Sequence, residues 1–281
     1  MPQTDVRLRP GAGRCQRREA SVESCPRGKR RRRRGADEAR GGLVTRPVLV
    51  VGAGAAGLAA AKTLAGRGIP VTVVDKARGV GGRIATRRLG DGLPYDHGAV
   101  LFEPSTDVFR TQLGTWEEEG LLERTGAADA AFRARGGATS LARNLARGLD
   151  VRLGAKAVAL VHEGTALRLD LEEGAPFRAG AVLLTPPVPQ SLDLLERGGL
   201  SERLPSELAV RLRRVSYASG LVLLLRLDRR VDGLPKSGVL LLRDGGIASR
   251  IVENERADGP SRLSVYGREL FAAARREAPD E

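Results

Sequence analysis

Cysteine and histidine are scarce in this chain of 281 residues, and each scarcity removes a class of chemistry. The two cysteines, Cys15 and Cys25, lie in the first 46 residues and form no C-x-x-C. A disulfide framework or a thiolate metal cluster is therefore not expected. The two histidines, His97 and His162, are too few and too separated for a zinc-ligand pattern. The nucleophile elbow G-x-S-x-G does not occur, so a serine-hydrolase triad has no anchor. Aromatic residues make up 3% of the chain, which argues against a base-stacking platform for nucleic acid. No uninterrupted apolar run approaches the ~20 residues of a membrane span, and no apolar leader precedes the first ordered strand. The expectation is a cytoplasmic protein with no membrane partner.

Positive charge is abundant, with a formal net charge of +13, but it is unevenly placed. Residues 1–46 hold 14 Lys/Arg against 5 Asp/Glu, and the remaining 235 residues hold 33 against 29. The run "RGKRRRRRGADEARGG" repels itself and carries few apolar residues to offset the entropy of ordering. Residues 1–46 therefore read as a disordered basic tail rather than a specific nucleic-acid site.

From Pro47 the texture becomes that of an ordered α/β domain. Val48–Val51 is a continuous apolar run suited to a parallel strand covered on both faces. Leu58, Ala61 and Leu64 recur at helical spacing, and Gly66, Gly68 and Pro70 end that helix. "VTVVD", residues 71–75, reads as the second strand, so the βαβ unit has about the ~30 residues such a unit takes. Residues 103–135 are polar and mixed and suggest short helices of a cap. "TSLARNLARG" predicts a helix, with "LDVRLGAKAVALV" behind it as a third strand. Turns at Glu163-Gly164 and Glu173-Gly174 predict a three-stranded meander. "AVLLT" then reads as another buried strand, stopped by Pro186-Pro187. A helical stretch over 189–213 and strands in "SGLVLLLRLD", "GVLLLRD" and "RLSVYG" complete the reading.

Gly52-Ala53-Gly54-Ala55-Ala56-Gly57 is a G-x-G-x-x-G between a strand and a helix. Gly52 permits the tight turn, Gly54 lets a pyrophosphate approach the backbone, and Gly57 lets the helix pack close to the strand. The phosphates then meet the free N–H groups and positive end of the helix. Asp75, closing the second strand, is placed to accept hydrogen bonds from a ribose hydroxyl. A second glycine–arginine stretch, Arg78-Gly79-Val80-Gly81-Gly82-Arg83, follows at once. Two loops suited to phosphate back to back favour a long dinucleotide, FAD, over NAD.

"GAGAAG…VVDKARGVGGR" followed by "YDHGAVLF" resembles the flavin-containing amine-oxidase superfamily, and within it the renalase-like FAD-dependent oxidoreductases. "ARGGATSLARNLA", "VLLTPPVPQSLDLL", "VSYASGLVLLLRLD" and "SRIVENERADGPS" follow in the family's order. The resemblance implies an FAD-binding Rossmann-like domain of the glutathione-reductase/hydroxybenzoate-hydroxylase type, from residues 47–102 and 136–190. A smaller α+β substrate domain would be built from 103–135 and 191–281. Gly52, Gly54, Ala56 and Gly57 would surround the pyrophosphate, Asp75 would hold the ribose, and Arg83 would reach the phosphates. Ala55, Lys76, Arg78, Gly81 and Gly82, in the same two loops, count among the cofactor contacts. Gly98 and Ala99 would lie beside the flavin, and Asp96 and His97 would shape that loop rather than act as acid and base. Val158 is the expected valine beside the adenine. Tyr217, Arg250 and Asn254 fall in the region that would line the substrate side.

The implied reaction is hydride transfer from a small reduced substrate, an isomeric dihydronicotinamide nucleotide or an amine, to non-covalent FAD. O2 then reoxidises the flavin and yields H2O2. The superfamily closes its FAD site with a C-terminal segment that carries a Gly-Asp pair followed by a helix. Here "RELFAAARREAPDE" follows Gly267, Gly90-Asp91 comes too early, and Asp244-Gly245 is reversed. The expectation is a chain lacking that segment, which binds FAD weakly or survives as a non-catalytic remnant. An NAD-binding Rossmann dehydrogenase is the other reading.

Overall fold

The computed structural model describes residues 47–275 apart from 91, 126–130, 236, 244 and 255–259. The basic tail read over residues 1–46 lies outside the described residues, as do Asp91 and Asp244. The chain runs through β1 (Val48–Val51), α1 (Ala55–Gly66), β2 (Val71–Asp75), β3 (Thr86–Arg88) and β4 (Pro94–Asp96). It continues with α2 (Asp107–Glu118), β5 (Leu122–Arg124), β6 (Phe132–Ala134), α3 (Ala138–Ala146) and β7 (Asp150–Leu153). Next come β8 (Ala157–Glu163), β9 (Ala166–Leu171), β10 (Phe177–Ala179), β11 (Ala181–Leu184), α4 (Val188–Arg197) and α5 (Ser206–Arg213). The last elements are β12 (Val222–Arg226), β13 (Val239–Leu241), β14 (Ala248–Asn254), β15 (Arg262–Gly267) and α6 (Glu269–Arg275).

β1 pairs in parallel with β2 and β11, and β2 with β7, giving the order β11-β1-β2-β7. The apolar run of β1 is explained by cover on both faces. Val50 and Val73 pack with Leu58 and Ala61 of α1 and with Leu141, Ala142 and Leu145 of α3. Leu49, Val51 and Val74 point the other way, onto Leu160, Leu169 and Ala179 of the antiparallel meander β10-β9-β8 and Leu194 of α4. The fold class is therefore α/β with a Rossmann-like nucleotide-binding unit, as the sequence indicates. α1 forms from an alanine-rich segment with high helix propensity. Its N-cap is Gly54, with no side chain capping it and no acidic residue in its first turn, so its leading N–H groups stay available.

Four local expectations change. "LDVRLGAKAVALV" is two strands, because Gly154 takes φ 70° and turns the chain out of the parallel sheet into the meander. β11 is half-exposed rather than buried, with Leu183 39% exposed, because it is the sheet's edge strand. Among its described residues the segment 103–135 holds one three-turn helix, α2, whose N-cap Thr106 accepts the Phe109 N–H at 3.2 Å. Leu113 and Trp116 of α2 join the α-side core, and the β5–β6 hairpin follows. The strand β14, which carries "SRIVEN", was not read from periodicity. It lies inside a second antiparallel sheet of order β12-β15-β14-β13.

Candidate dinucleotide site

The two glycine loops meet. Gly81 N–H donates to Ala53 O at 2.9 Å, and Gly54 and Gly81 form a parallel bridge. Gly81 and Gly82 sit at φ 126° and 53°, backbone that side chains rarely adopt, and a Cβ on Gly82 would come within 3.3 Å of Gly54 Cα. Gly57 has no room at all. A Cβ there would run into Gly52 O and stand 2.9 Å from Thr185 Oγ1. These glycines draw the end of β1, the start of α1 and the loop after β2 into one backbone-lined floor.

Asp75 sits at the end of β2 and grips this floor. Its Oδ2 accepts the Ala53 N–H at 2.6 Å and its Oδ1 the Ala77 N–H at 2.7 Å. A carboxylate has about four lone-pair sites, so acceptor capacity remains for hydroxyls. The main chain beyond β7 is tied to the same corner, Ala155 N–H donating to Asp75 O and Gly154 N–H to Ala77 O, both at 2.9 Å.

Around this floor lies a cavity of about 750 Å³. Gly52, Gly54, Ala55, Ala56, Gly57, Asp75, Lys76, Gly81, Gly82, Arg83 and Val158, all candidates from sequence, line it. Val158 belongs to β8, the first meander strand, and not to the third strand of the parallel sheet. A register shift between Ala157 and Ala159 places it at a bulge, the kind of irregularity that re-aims a side chain. Sequence reasoning missed Thr185, Gln190, Glu172 and Arg197, which also line the cavity. The Thr185 hydroxyl donates to Val51 O at 2.8 Å, and Lys76 Nζ reaches Gln190 Oε1 at 3.3 Å. The "TPPVPQ" stretch carried the available signal, since a strand ending in Thr-Pro-Pro brings α4 over the glycine floor. Arg78 is not among the lining residues.

Gly98 and Ala99 lie at the Arg83 end without lining the cavity. Ala99 N–H donates to Arg83 O at 2.9 Å, and a Cβ on Gly98 would collide with that same carbonyl. Asp96, 5% exposed, fixes this loop. Its Oδ1 accepts the Thr86 hydroxyl at 2.6 Å and the Ala138 N–H at 2.9 Å, so it caps α3 from 42 residues away. Its N–H donates to Asn254 Oδ1 at 2.8 Å, and its carbonyl accepts the hydroxyls of Ser264 at 2.6 Å and Tyr266 at 3.2 Å. Tyr266 also donates to Gly98 O at 3.0 Å. Burial pushes the Tyr266 phenol up to about 12, Arg250's charge opposing and Asp96's adding.

The three substrate-side candidates part company. Tyr217 is 45% exposed, sits near Arg83 with 5.8 Å from guanidinium carbon to ring centroid, and accepts the Val188 N–H at 3.1 Å. Asn254 is 3% exposed and its amide is taken up by Ser264 and Arg262 O. With Asp96 it borders a separate cavity of about 430 Å³ beside the β5–β6 hairpin. Arg250 lies over the Tyr266 ring at 4.2 Å.

A parallel sheet whose first strand enters a glycine turn and a helix, with an acidic residue closing the second strand, defines a dinucleotide-binding protein. Residues 50–111 match the NAD(P)-binding Rossmann-like domain, and residues 114–272 match the flavin containing amine oxidoreductase family. The chain belongs to the flavin-containing amine oxidoreductases, and its cofactor is FAD. A hydroxyneurosporene desaturase of Rubrivivax gelatinosus is 50% identical over 60 residues, 21% of this chain. That match spans only 11% of the desaturase's length. A redesigned putrescine oxidase shares the fold with TM-score 0.64 and 16% identity, over 83% of this chain and 78% of the other. A CLA-producing fatty acid isomerase from P. acnes does so with TM-score 0.58 and 11% identity, over 79% and 76%. The cavity's chemistry suits FAD's adenosine half: a glycine floor for the pyrophosphate, an uncapped helix start and a fixed carboxylate, Asp75, in its lining.

Proposed function

We propose that the chain is an FAD-dependent oxidoreductase that takes a hydride from a small reduced substrate and passes the electrons to O2. The observation that carries this reading is the junction of the two glycine loops, Gly54 to Gly81, with Asp75 beside it around one cavity. Bound FAD supplies the two-electron acceptor. The chain's own residues would hold and orient it: N–H groups at the start of α1 would face the pyrophosphate, and Asp75 would accept the ribose hydroxyls. Arg83 would offset phosphate charge, and Val158 would pack beside the adenine; both line the cavity. Gly98 and Ala99 leave the reacting end free of bulky side chains. The substrate would give up one hydride, which is two electrons and one proton, and O2 would take these with one further proton from solvent and leave as H2O2. In this reading residues 47–102 and 136–190 carry the cofactor, while 103–135 and 191–281 face the substrate.

The renalase-like order of motifs supports an isomeric dihydronicotinamide nucleotide as substrate, and the putrescine oxidase likeness keeps an amine as the alternative. The test is to saturate the purified chain with FAD, remove the excess, and mix it without oxygen with each substrate class. The expected result is retained flavin absorbance that bleaches with substrate, then peroxide when air enters. A chain that retains no flavin but binds NAD in calorimetry would overturn the proposal in favour of a dehydrogenase.

A further inference from the structure

The cavity of about 430 Å³ beside the β5–β6 hairpin stands apart from the dinucleotide cavity, since no residue lines both. Its size falls within the about 300–1,000 Å³ of small-molecule sites. Charged groups of both signs line it: Glu123, Arg124, Arg133 and Arg135 on and beside the hairpin, and Asp96 from β4.

The two oxygens of Asp96 are used unequally. Oδ1 accepts the Thr86 hydroxyl and the Ala138 N–H, whereas Oδ2 accepts no bond among the described residues and keeps open surface. Buried carboxylate oxygens normally have donors, so an open one on a cavity wall is a place for a ligand's donor. Arg133 is its counterpart. The side chain is 12% exposed, yet only one of its five N–H groups is engaged, Nη2 donating to Glu253 O at 3.2 Å. Its Nε and Nη1 make no hydrogen bond and are not sealed off. Glu123, opposite Arg133 in the hairpin register, stands 4.0 Å from Arg133 Nε and 3.7 Å from Arg135 Nη1, too far to bond either. Arg124 differs, because Glu117 takes its Nε and Nη2 in a bidentate pair. One wall thus offers two guanidiniums sharing a single distant carboxylate, and another offers a carboxylate oxygen without a donor.

We infer that this cavity binds a small zwitterion, its carboxylate on Arg133 and Arg135 and its ammonium on Asp96 Oδ2. A lone anion would meet Asp96 and Glu123, and a lone cation would meet the two guanidiniums. A molecule carrying both signs satisfies both walls. The guanidinium forks match the paired oxygens of a carboxylate, and Oδ2 accepts from the ammonium in a charge-assisted bond. None of these residues is assigned to FAD, so the site stands whether or not the chain oxidises a substrate.

The experiment is calorimetric titration of the full chain with glycine, β-alanine and γ-aminobutyrate, which carry the same two charges at increasing span. Each is compared with the acid lacking its amine and the amine lacking its acid. At least one of the three is expected to bind at least about tenfold more tightly than both of its one-charge analogues, the size of one charge-assisted hydrogen bond. Asp96→Asn should erase the preference over the plain acid. Arg133→Met should erase the preference over the plain amine, and Arg133→Lys should recover part of it. Arg135 is 61% exposed, so Arg135→Gln should weaken zwitterion binding at an unchanged thermal midpoint, and it decides the matter if Arg133→Met does not fold. Saturating FAD should leave the affinity unchanged, since the two cavities share no residue. Three zwitterions that bind no better than their one-charge analogues would overturn the inference. So would a preference over the acid that survives Asp96→Asn, an affinity untouched by Arg135→Gln, or displacement of the zwitterion by FAD.

Discussion

Replacing Asp96 by alanine removes the acceptor for the Thr86 hydroxyl and the Ala138 N–H, both in a setting where Asp96 is 5% exposed. Each hydrogen bond to a charged group is worth about 1.5–3 kcal/mol, so the loss is roughly 3–6 kcal/mol. That is a large share of the about 5–15 kcal/mol by which a domain is stable. Asp96→Asn keeps a carbonyl oxygen for both donors and loses only the charge, at a cost of about 1–2 kcal/mol. Urea unfolding followed by circular dichroism should show a much lower midpoint for the alanine variant and a modest shift for asparagine, with similar slopes. The FAD-loaded asparagine variant should still oxidise substrate, because Asp96 fixes a loop and moves no proton. An alanine variant within about 1 kcal/mol of the wild type would refute the hydrogen-bond assignment. A folded asparagine variant devoid of hydride transfer would refute the structural role.

Gly57→Ala drives a methyl group into Gly52 O and toward Thr185 Oγ1, so retained flavin should fall at least about tenfold, read from visible absorbance. Gly198→Ala places its Cβ inside Leu160 O, between α4 and β8, and should lower stability by about 1–3 kcal/mol in a thermal melt. Gly198→Ala melting like the wild type would show that α4 can shift away. Tyr266 keeps its proton in the fold to about 12, above the roughly 10 of an unfolded tyrosine. The folded state then binds the extra proton, so its contribution is complete below about pH 10 and is lost as pH rises toward 12. An alkaline phenolate titration should show a late phase that Tyr266→Phe removes.

The nucleotide-binding unit was legible because its signals are local. The run Val48–Val51, the spacing of Gly52, Gly54 and Gly57, and Asp75 all fall within 28 residues, each tied to one backbone requirement. The meander was legible for the same reason, its turns being marked by Glu163-Gly164 and Glu173-Gly174. What escaped depends on partners distant in sequence. The break at Gly154 is fixed by bonds from Gly154 and Ala155 back to Ala77 and Asp75, and the run of apolar residues across it carries no trace of them. The half-exposure of β11 follows from its edge position, which pairing alone reveals. The motif around Asn254 carries no sign of its partners, and only the folded chain shows its amide bonded to Asp96, Ser264 and Arg262. Arg250, from the same motif, is told apart from Asn254 by its stacking on the Tyr266 ring.

The clamp on Asp75 also has a bearing on which dinucleotides the cavity accepts. A carboxylate held by two backbone N–H groups cannot swing aside, so its oxygens stay fixed at one corner of the cavity. Hydroxyls meet a prearranged acceptor and need order nothing on the protein side. With the ribose placed at Asp75 as proposed, a 2′-phosphate would meet the carboxylate instead, and the two N–H bonds leave that corner little freedom to relieve it. In the proposed placement of the cofactor, discrimination against phosphorylated ribose would thereby follow from backbone geometry alone.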